Sequence, residues 1–185
     1  MTRPARTLAR LRADQRGYSL IEMLTVLTIL GTIMGALTGI FVSASTAQVD
    51  MNARFQAQLQ ARLALDKLRR EVHCASTITP TGPAASITLT LPTQCKTGSG
   101  SVTWCTASIA TSRYGLYRKT GTTCNSSGQL VADYLTTATA FEFFAQSTSS
   151  LAKLRVTFTV DTKPEKTQGR YTLQDDIVLR NSTRT

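Results

Sequence analysis

The chain has 185 residues, enough for one domain of ordinary size with an additional element but short for two full domains. Hydrophobic residues make up 42% and charged residues 17%, which excludes both a charge-rich disordered chain and a protein of many membrane spans. The 21 basic and 11 acidic side chains leave a net charge of +10, so a nucleic-acid or membrane-surface role depends on where the cations gather.

Residues 1–17 carry Arg3, Arg6, Arg10, Arg12 and Arg16 against Asp14, a local net of +4, which leaves +6 for the rest of the chain. From Met23 to Val42 there is no charged residue, and these twenty residues at about 1.5 Å each span the roughly 30 Å of bilayer hydrocarbon. One transmembrane helix is expected, with the arginines on the cytoplasmic side and everything from Ser43 onward outside. The four cysteines then fall in an oxidising compartment. A secretory signal peptide cut near Val42-Ser43-Ala44 is the alternative reading. Against it, the apolar run exceeds the usual signal-peptide core of about 7–15 residues. In addition, Glu22 places a carboxylate at the start of the run, which costs on the order of 2.5–3.5 kcal/mol at mid-bilayer and less near the surface. Something must compensate for that charge.

The stretch Arg16-Gly17-Tyr18-Ser19-Leu20-Ile21-Glu22-Met23-Leu24 resembles the processing motif of the type IV pilin and pseudopilin family. The resemblance is tight over these residues and loose over the helix that follows. It implies that Gly17 ends a basic leader removed by a membrane prepilin peptidase, and that Tyr18 becomes the N-methylated terminus. It also implies that Glu22 serves in assembly: in a filament, its carboxylate can meet the terminal amine of a neighbouring subunit in a low-dielectric setting. Two departures stand out: tyrosine replaces the more usual phenylalanine after the cut, and Gly39 stands where many major pilins carry a proline. Gly31, Gly35 and Gly39 recur at spacings of four, a doubled small-xxx-small pattern that suits close helix contact, although glycine is also simply common in membrane helices.

From Ser43 to about Cys74 the composition is helical and amphipathic, with no proline or glycine. At about 100° per residue, Ala61, Ala64, Leu65, Leu68 and Val72 cluster on one face, while Phe55, Leu59 and Leu63 fall on another. Two apolar faces suggest two partners: the C-terminal domain for the first, other helices of an assembly for the second.

After Pro80 the pattern changes to short alternating runs separated by turn residues, which reads as strands. These runs hold Ile87, Leu89 and Leu91; Val102 and Trp104; Tyr114 to Arg118; Leu130 to Ala132; Phe141 and Phe143; Leu154 to Val160; and Tyr171 to Leu179. The last two read as a hairpin through Lys163-Pro164 and Gly169. The expected fold class is α+β. A long N-terminal helix, half transmembrane and half amphipathic, would pack on a C-terminal antiparallel β-sheet head, the lollipop that the resemblance implies. The expected division is a leader over 1–17, a membrane and assembly helix over 18–42, its amphipathic continuation over 43–76 and a β-rich head over 77–185. The closing part of the head looks most like minor pilins or minor pseudopilins.

Cys74, Cys95, Cys105 and Cys124 are even in number and predict two disulfides, with three pairings open. Pairing Cys95 with Cys105 across a hairpin, and Cys74 with Cys124, is the favoured arrangement. Zinc is disfavoured because no short Cys-x2-Cys spacing occurs, and no metal or other cofactor is expected. His73 and Cys74 are helix neighbours that point about 100° apart, a poor nucleophilic pair. Ser150-Leu151-Ala152-Lys153, Lys96-Thr97-Gly98 and Lys119-Thr120-Gly121 look like pieces of a penicillin-binding active site, but their order is wrong and the Ser-Asp-Asn element is missing. Asp175 and Asp176 alternate on a strand and point to opposite faces. No enzyme activity is expected. Arg113, Tyr114, Tyr117, Arg118 and Lys119 combine cations with stacking surface and are the candidate nucleic-acid contacts; the competing reading has the tyrosines inward and the cations solvated. Asn125-Ser126-Ser127 and Asn181-Ser182-Thr183 match glycan acceptors.

The expected function is a structural minor subunit of a pilus, type II secretion or competence filament. Its partners would be other subunits, the prepilin peptidase and methyltransferase, and membrane lipid, with its head outside the cytoplasm. The alternatives are a DNA-binding or adhesive tip subunit, and a simple membrane-anchored or secreted β-domain.

Overall fold

In the computed structural model, the described residues are 17–163 and 169–181. The five leader arginines, Asp14, Pro164 and most of the second glycan sequence lie outside them. The chain divides into two compact units, Met1–Val49 and Asp50–Thr185.

One helix, α1, runs from Leu20 to Cys74. In the first unit every described residue of it is exposed, including Leu24, Leu27, Ile33 and Phe41. Its 18-residue stretch of highest hydropathy has a mean hydropathy of 2.0, long and apolar enough to cross a membrane. The polar residues in this stretch satisfy themselves. Thr25 Oγ1 donates to the Glu22 carbonyl at 2.9 Å, Thr28 to Thr25 at 2.8 Å, Thr32 to Ile29 at 2.8 Å and Thr38 to Met34 at 2.8 Å. A hydroxyl bonded back to its own helix needs no water, so it is tolerated in hydrocarbon.

The second unit holds the rest of α1 and a nine-stranded antiparallel sheet. The strands are β1 (Thr77–Thr79), β2 (Gly82–Ala84), β3 (Ser86–Leu91), β4 (Gly100–Ala110), β5 (Arg113–Thr120), β6 (Gln129–Leu135), β7 (Phe141–Phe144), β8 (Lys153–Val160) and β9 (Tyr171–Val178). Their order is β1-β3-β4-β5-β6-β8-β7-β2, with β9 paired to β8. Each expected strand run is present, and β8 and β9 pair antiparallel from Lys153–Val178 to Val160–Tyr171. The additional β1 and β2 are three residues long, too short for a period-2 signal, and β2 carries Pro83, which suits a sheet margin.

Within this unit Ala57, Ala61, Ala64, Leu65, Leu68 and Val72 of α1 are buried. Ala64, Leu65, Leu68 and Val72 join a core with Ile87, Leu89, Trp104, Leu116, Phe141, Leu154, Phe158 and Ile177, while Ala57 and Ala61 pack with Val160 and Tyr134 in a smaller cluster. The face predicted to pack on the sheet therefore does so. Small residues alternating with leucine let the helix lie close to the strands, and each fully buried leucine contributes about 1.5–3 kcal/mol.

The favoured cysteine pairing is corrected by the structure: the bonds are Cys74–Cys95 and Cys105–Cys124. The reason lies in the register. β3 and β4 pair with Leu91 opposite Gly100 and Ser86 opposite Cys105. Cys95 sits in the connecting loop, whereas Cys105 stands five residues along β4 from Gly100, roughly 17 Å away at strand rise. Meanwhile β1 pairs with β3 as Thr77 to Thr90, and Ser76 N donates to the Thr90 carbonyl at 2.9 Å. That brings the loop after β3 back to the end of α1, where Cys74 waits. Cys105 faces Tyr117 across β4–β5, and the chain after β5 folds back to bring Cys124 to it. With all four sulfurs in disulfides, no thiolate is left for zinc.

Candidate assembly site

The first turn of α1 is built by Ser19. Its carbonyl accepts the Met23 N–H at 3.1 Å, the opening bond of the helix. Ser19-Leu20-Ile21-Glu22 has the S-x-x-E spacing of a capping box. Glu22 therefore stands in the first turn, where the helix dipole favours a carboxylate. Among the described residues its carboxylate has no hydrogen-bond or ion-pair partner. Gly17 and Tyr18 precede the helix outside any regular element, with Tyr18 exposed. Gly31, Gly35 and Gly39 are exposed too, and a Cβ built on any of them would meet nothing within 4 Å. The glycines thus relieve no crowding within the chain.

The second apolar face of α1, inside the Asp50–Thr185 unit, is left uncovered. Phe55, Leu59 and Leu63 are 61%, 40% and 59% exposed. The edge of the helix between this face and the buried one is fixed to the sheet by polar contacts. Arg62 Nη2 donates to the Tyr171 hydroxyl at 3.1 Å, Arg69 Nη2 to Asp175 at 2.8 Å, and His73 Nδ1 to the Val178 carbonyl at 3.0 Å. The last bond requires the proton on Nδ1, because a carbonyl only accepts. As expected for neighbours on a strand, Asp175 and Asp176 diverge: Asp175 takes Arg69, while Asp176 takes Lys153 and Arg155, each at 2.9 Å. Those two cations hold the Asp176 carboxyl down at about 2.

Sequence reasoning missed the most buried charge among the described residues. Glu71 is 1% exposed; its Oε1 accepts from Arg118 Nε at 2.8 Å and its Oε2 from Trp104 Nε1 at 2.7 Å. Both oxygens are thereby bound to the sheet. Helical spacing held the signal, since Glu71 stands three residues beyond Leu68 and one before Val72 on the apolar face. A lone acid there needs a donor from across the core. Nearby, Lys67 donates to Gln129 at 3.1 Å; burial, and then the charge of Arg118, push its ammonium below its ordinary value.

The candidate nucleic-acid residues are not gathered into one cationic surface. Arg113 is paired with Asp133, with its guanidinium 4.0 Å from the centre of the Tyr134 ring. The Asp133 hydrogen bond raises the Arg113 pKa further. Arg118 is spent on Glu71, and Lys119 donates to Asn125 and Ser127 at 3.3 and 3.2 Å. Tyr117 is buried and Tyr114 half-buried. The tyrosines are inward as the competing reading had it, but the cations are engaged inside the chain and not simply solvated.

Neither a curated protein nor a solved structure matches the chain. Residues 12–38 match the prokaryotic N-terminal methylation motif, a segment that contains Gly17, Tyr18, Glu22, Gly31 and Gly35. Together with a long apolar helix followed by an antiparallel sheet, this motif supports a type IV pilin-like family for the chain.

Proposed function

We propose that the protein is a structural minor subunit, a minor pilin or minor pseudopilin, of a pilus, secretion or competence filament. It is cut after Gly17 by a prepilin peptidase, methylated on Tyr18 and held in the membrane by α1 with its head outside the cytoplasm. It then passes into a filament through the packing of that helix. The observation that carries this reading is the methylation motif over residues 12–38. The exposed apolar first half of α1 supports it, because Leu24, Leu27, Ile33 and Phe41 need a covering that the described chain does not supply.

On this reading Glu22 is the assembly residue. Inside a bundle of apolar helices an unpaired carboxylate is costly, and the methylated amine of a neighbour's Tyr18 is the cation that relieves it. Gly31, Gly35 and Gly39 allow close helix approach there. Phe55, Leu59 and Leu63 continue the contact outside the membrane. A DNA-binding or adhesive tip role is the second reading, and the engagement of Arg113, Arg118 and Lys119 within the chain weighs against the first of these. The test is Glu22→Ala together with cysteines placed at Leu59 and Leu63. The proposal expects Glu22→Ala to be processed and inserted but absent from filaments, and the cysteines to crosslink to other subunits. Normal incorporation of Glu22→Ala, with no intersubunit crosslink, would overturn it.

A further inference from the structure

The two disulfides join consecutive cysteines. Cys74–Cys95 closes 21 residues, and Cys105–Cys124 closes 19 that begin only after the first loop is complete. Each bond also closes within one local piece of sheet. The first ties the end of α1 to the loop after β3, next to the β1–β3 ladder. The second sits on the β4–β5 hairpin. Local pairings form early because little chain entropy is lost in making them.

The competing pair is Cys95 with Cys105, only ten residues apart. Closure probability falls as the 3/2 power of loop length, so a chain with all four thiols free closes this pair about threefold more readily than either native pair. An unordered oxidation would therefore favour the wrong bond. A chain that emerges N-terminus first avoids it, because Cys74 and Cys95 meet while Cys105 is still to come.

We infer that the chain acquires both disulfides in order of emergence, from an extracytoplasmic thiol oxidase and without a disulfide isomerase. This rests on the proposed placement of the head outside the cytoplasm. In each step a cysteine thiolate attacks the oxidase disulfide and releases one of its sulfurs as a thiolate. The second cysteine then attacks the mixed disulfide. The substrate loses two protons and two electrons, and the oxidase leaves as a dithiol. The step precedes closure of the core, because Cys95 and Cys105 are 7% and 4% exposed once the sheet has formed.

Trypsin reports the pairing directly. Cleavage after Arg70, Lys96, Arg113, Lys119 and Lys153 places Cys74 and Cys95 together on peptide 71–96, Cys105 on 97–113 and Cys124 on 120–153. The full-length chain is made in a bacterial host with and without its extracytoplasmic isomerase, alkylated on lysis, and mapped by mass. In both strains the expected products are 71–96 closed on itself and 97–113 joined to 120–153. Cys124→Ser is the stricter test, because it leaves Cys105 free to compete. There 71–96 remains closed on itself in at least nine of ten chains, against about one in four if loop entropy alone decided between Cys95–Cys105 and Cys74–Cys95. Peptide 71–96 joined to 97–113 in the isomerase-free strain, or as the main product of Cys124→Ser, overturns the inference and leaves the proposed placement intact. Four alkylated thiols in the parent host overturn both.

Discussion

Replacing Glu71 by alanine tests how α1 is held to its sheet. The substitution removes the acceptor for a guanidinium whose side chain is only 15% exposed and for an indole N–H that is wholly buried. Breaking one side of a buried ion pair costs about 3–5 kcal/mol, and an orphaned buried donor about 1–3 kcal/mol. The two overlap, so a loss of about 4 kcal/mol is expected, of the same order as the whole stability of a small domain. At about 3 °C per kcal/mol for a unit of this size, the midpoint falls by about 12 °C. Trp104 is the only tryptophan and lies in the core, so its fluorescence during urea or thermal unfolding of the detergent-solubilised chain is the assay. Pairing the change with Arg118→Met separates charge from packing. The double variant should recover part of the loss, because no guanidinium is then left unpaired in the core, while the space vacated at position 71 and the unpaired Trp104 N–H keep it below the parent. A Glu71→Ala variant within about 1 kcal/mol of the parent would refute the account of this contact.

Removing the second disulfide as Cys105→Ser with Cys124→Ser should destabilise the chain by about 3 kcal/mol, from the entropy of its loop of 19 residues, read by urea unfolding. Gly169→Ala should cost about 1–2 kcal/mol in the same assay, since Gly169 has φ +109° and a Cβ there would run into the Arg54 guanidinium. Asp176 has a folded pKa of about 2, below its ordinary value of 3.8. Its stabilisation is therefore present above about pH 4 and lost as pH falls toward 2. Being partly exposed, it is worth only about 0.5–1 kcal/mol, and Asp176→Asn should match the parent at pH 2 while falling behind by that amount at pH 5.

What the sequence made legible follows from periodicity. The spacing of Ala61, Ala64, Leu65, Leu68 and Val72 identified the buried helix face, and alternation in β3, β7 and β8 identified strands, because burial repeats with the geometry of each element. Pairing between elements carries no such period. The disulfides depended on Thr77 standing opposite Thr90 and Ser86 opposite Cys105, registers that the backbone settles and a hairpin guess cannot. Glu71 was passed over for a similar reason: its partners lie 33 and 47 residues away in sequence. Arg113, Arg118 and Lys119 looked like a cationic strip only while Asp133, Glu71 and Asn125 were unplaced. At the N-terminus, by contrast, the residues around Gly17 form a contiguous local motif, which a sequence displays whole.

The most direct test of the central claim is the N-terminal mass of the mature protein from cells with and without their prepilin peptidase. The account predicts a peptidase-dependent start at N-methylated Tyr18, with the leader retained when the peptidase is absent. A start at Ser45 in both strains would mean an ordinary secreted domain, and the roles proposed for Glu22 and for Gly31, Gly35 and Gly39 would fall with it.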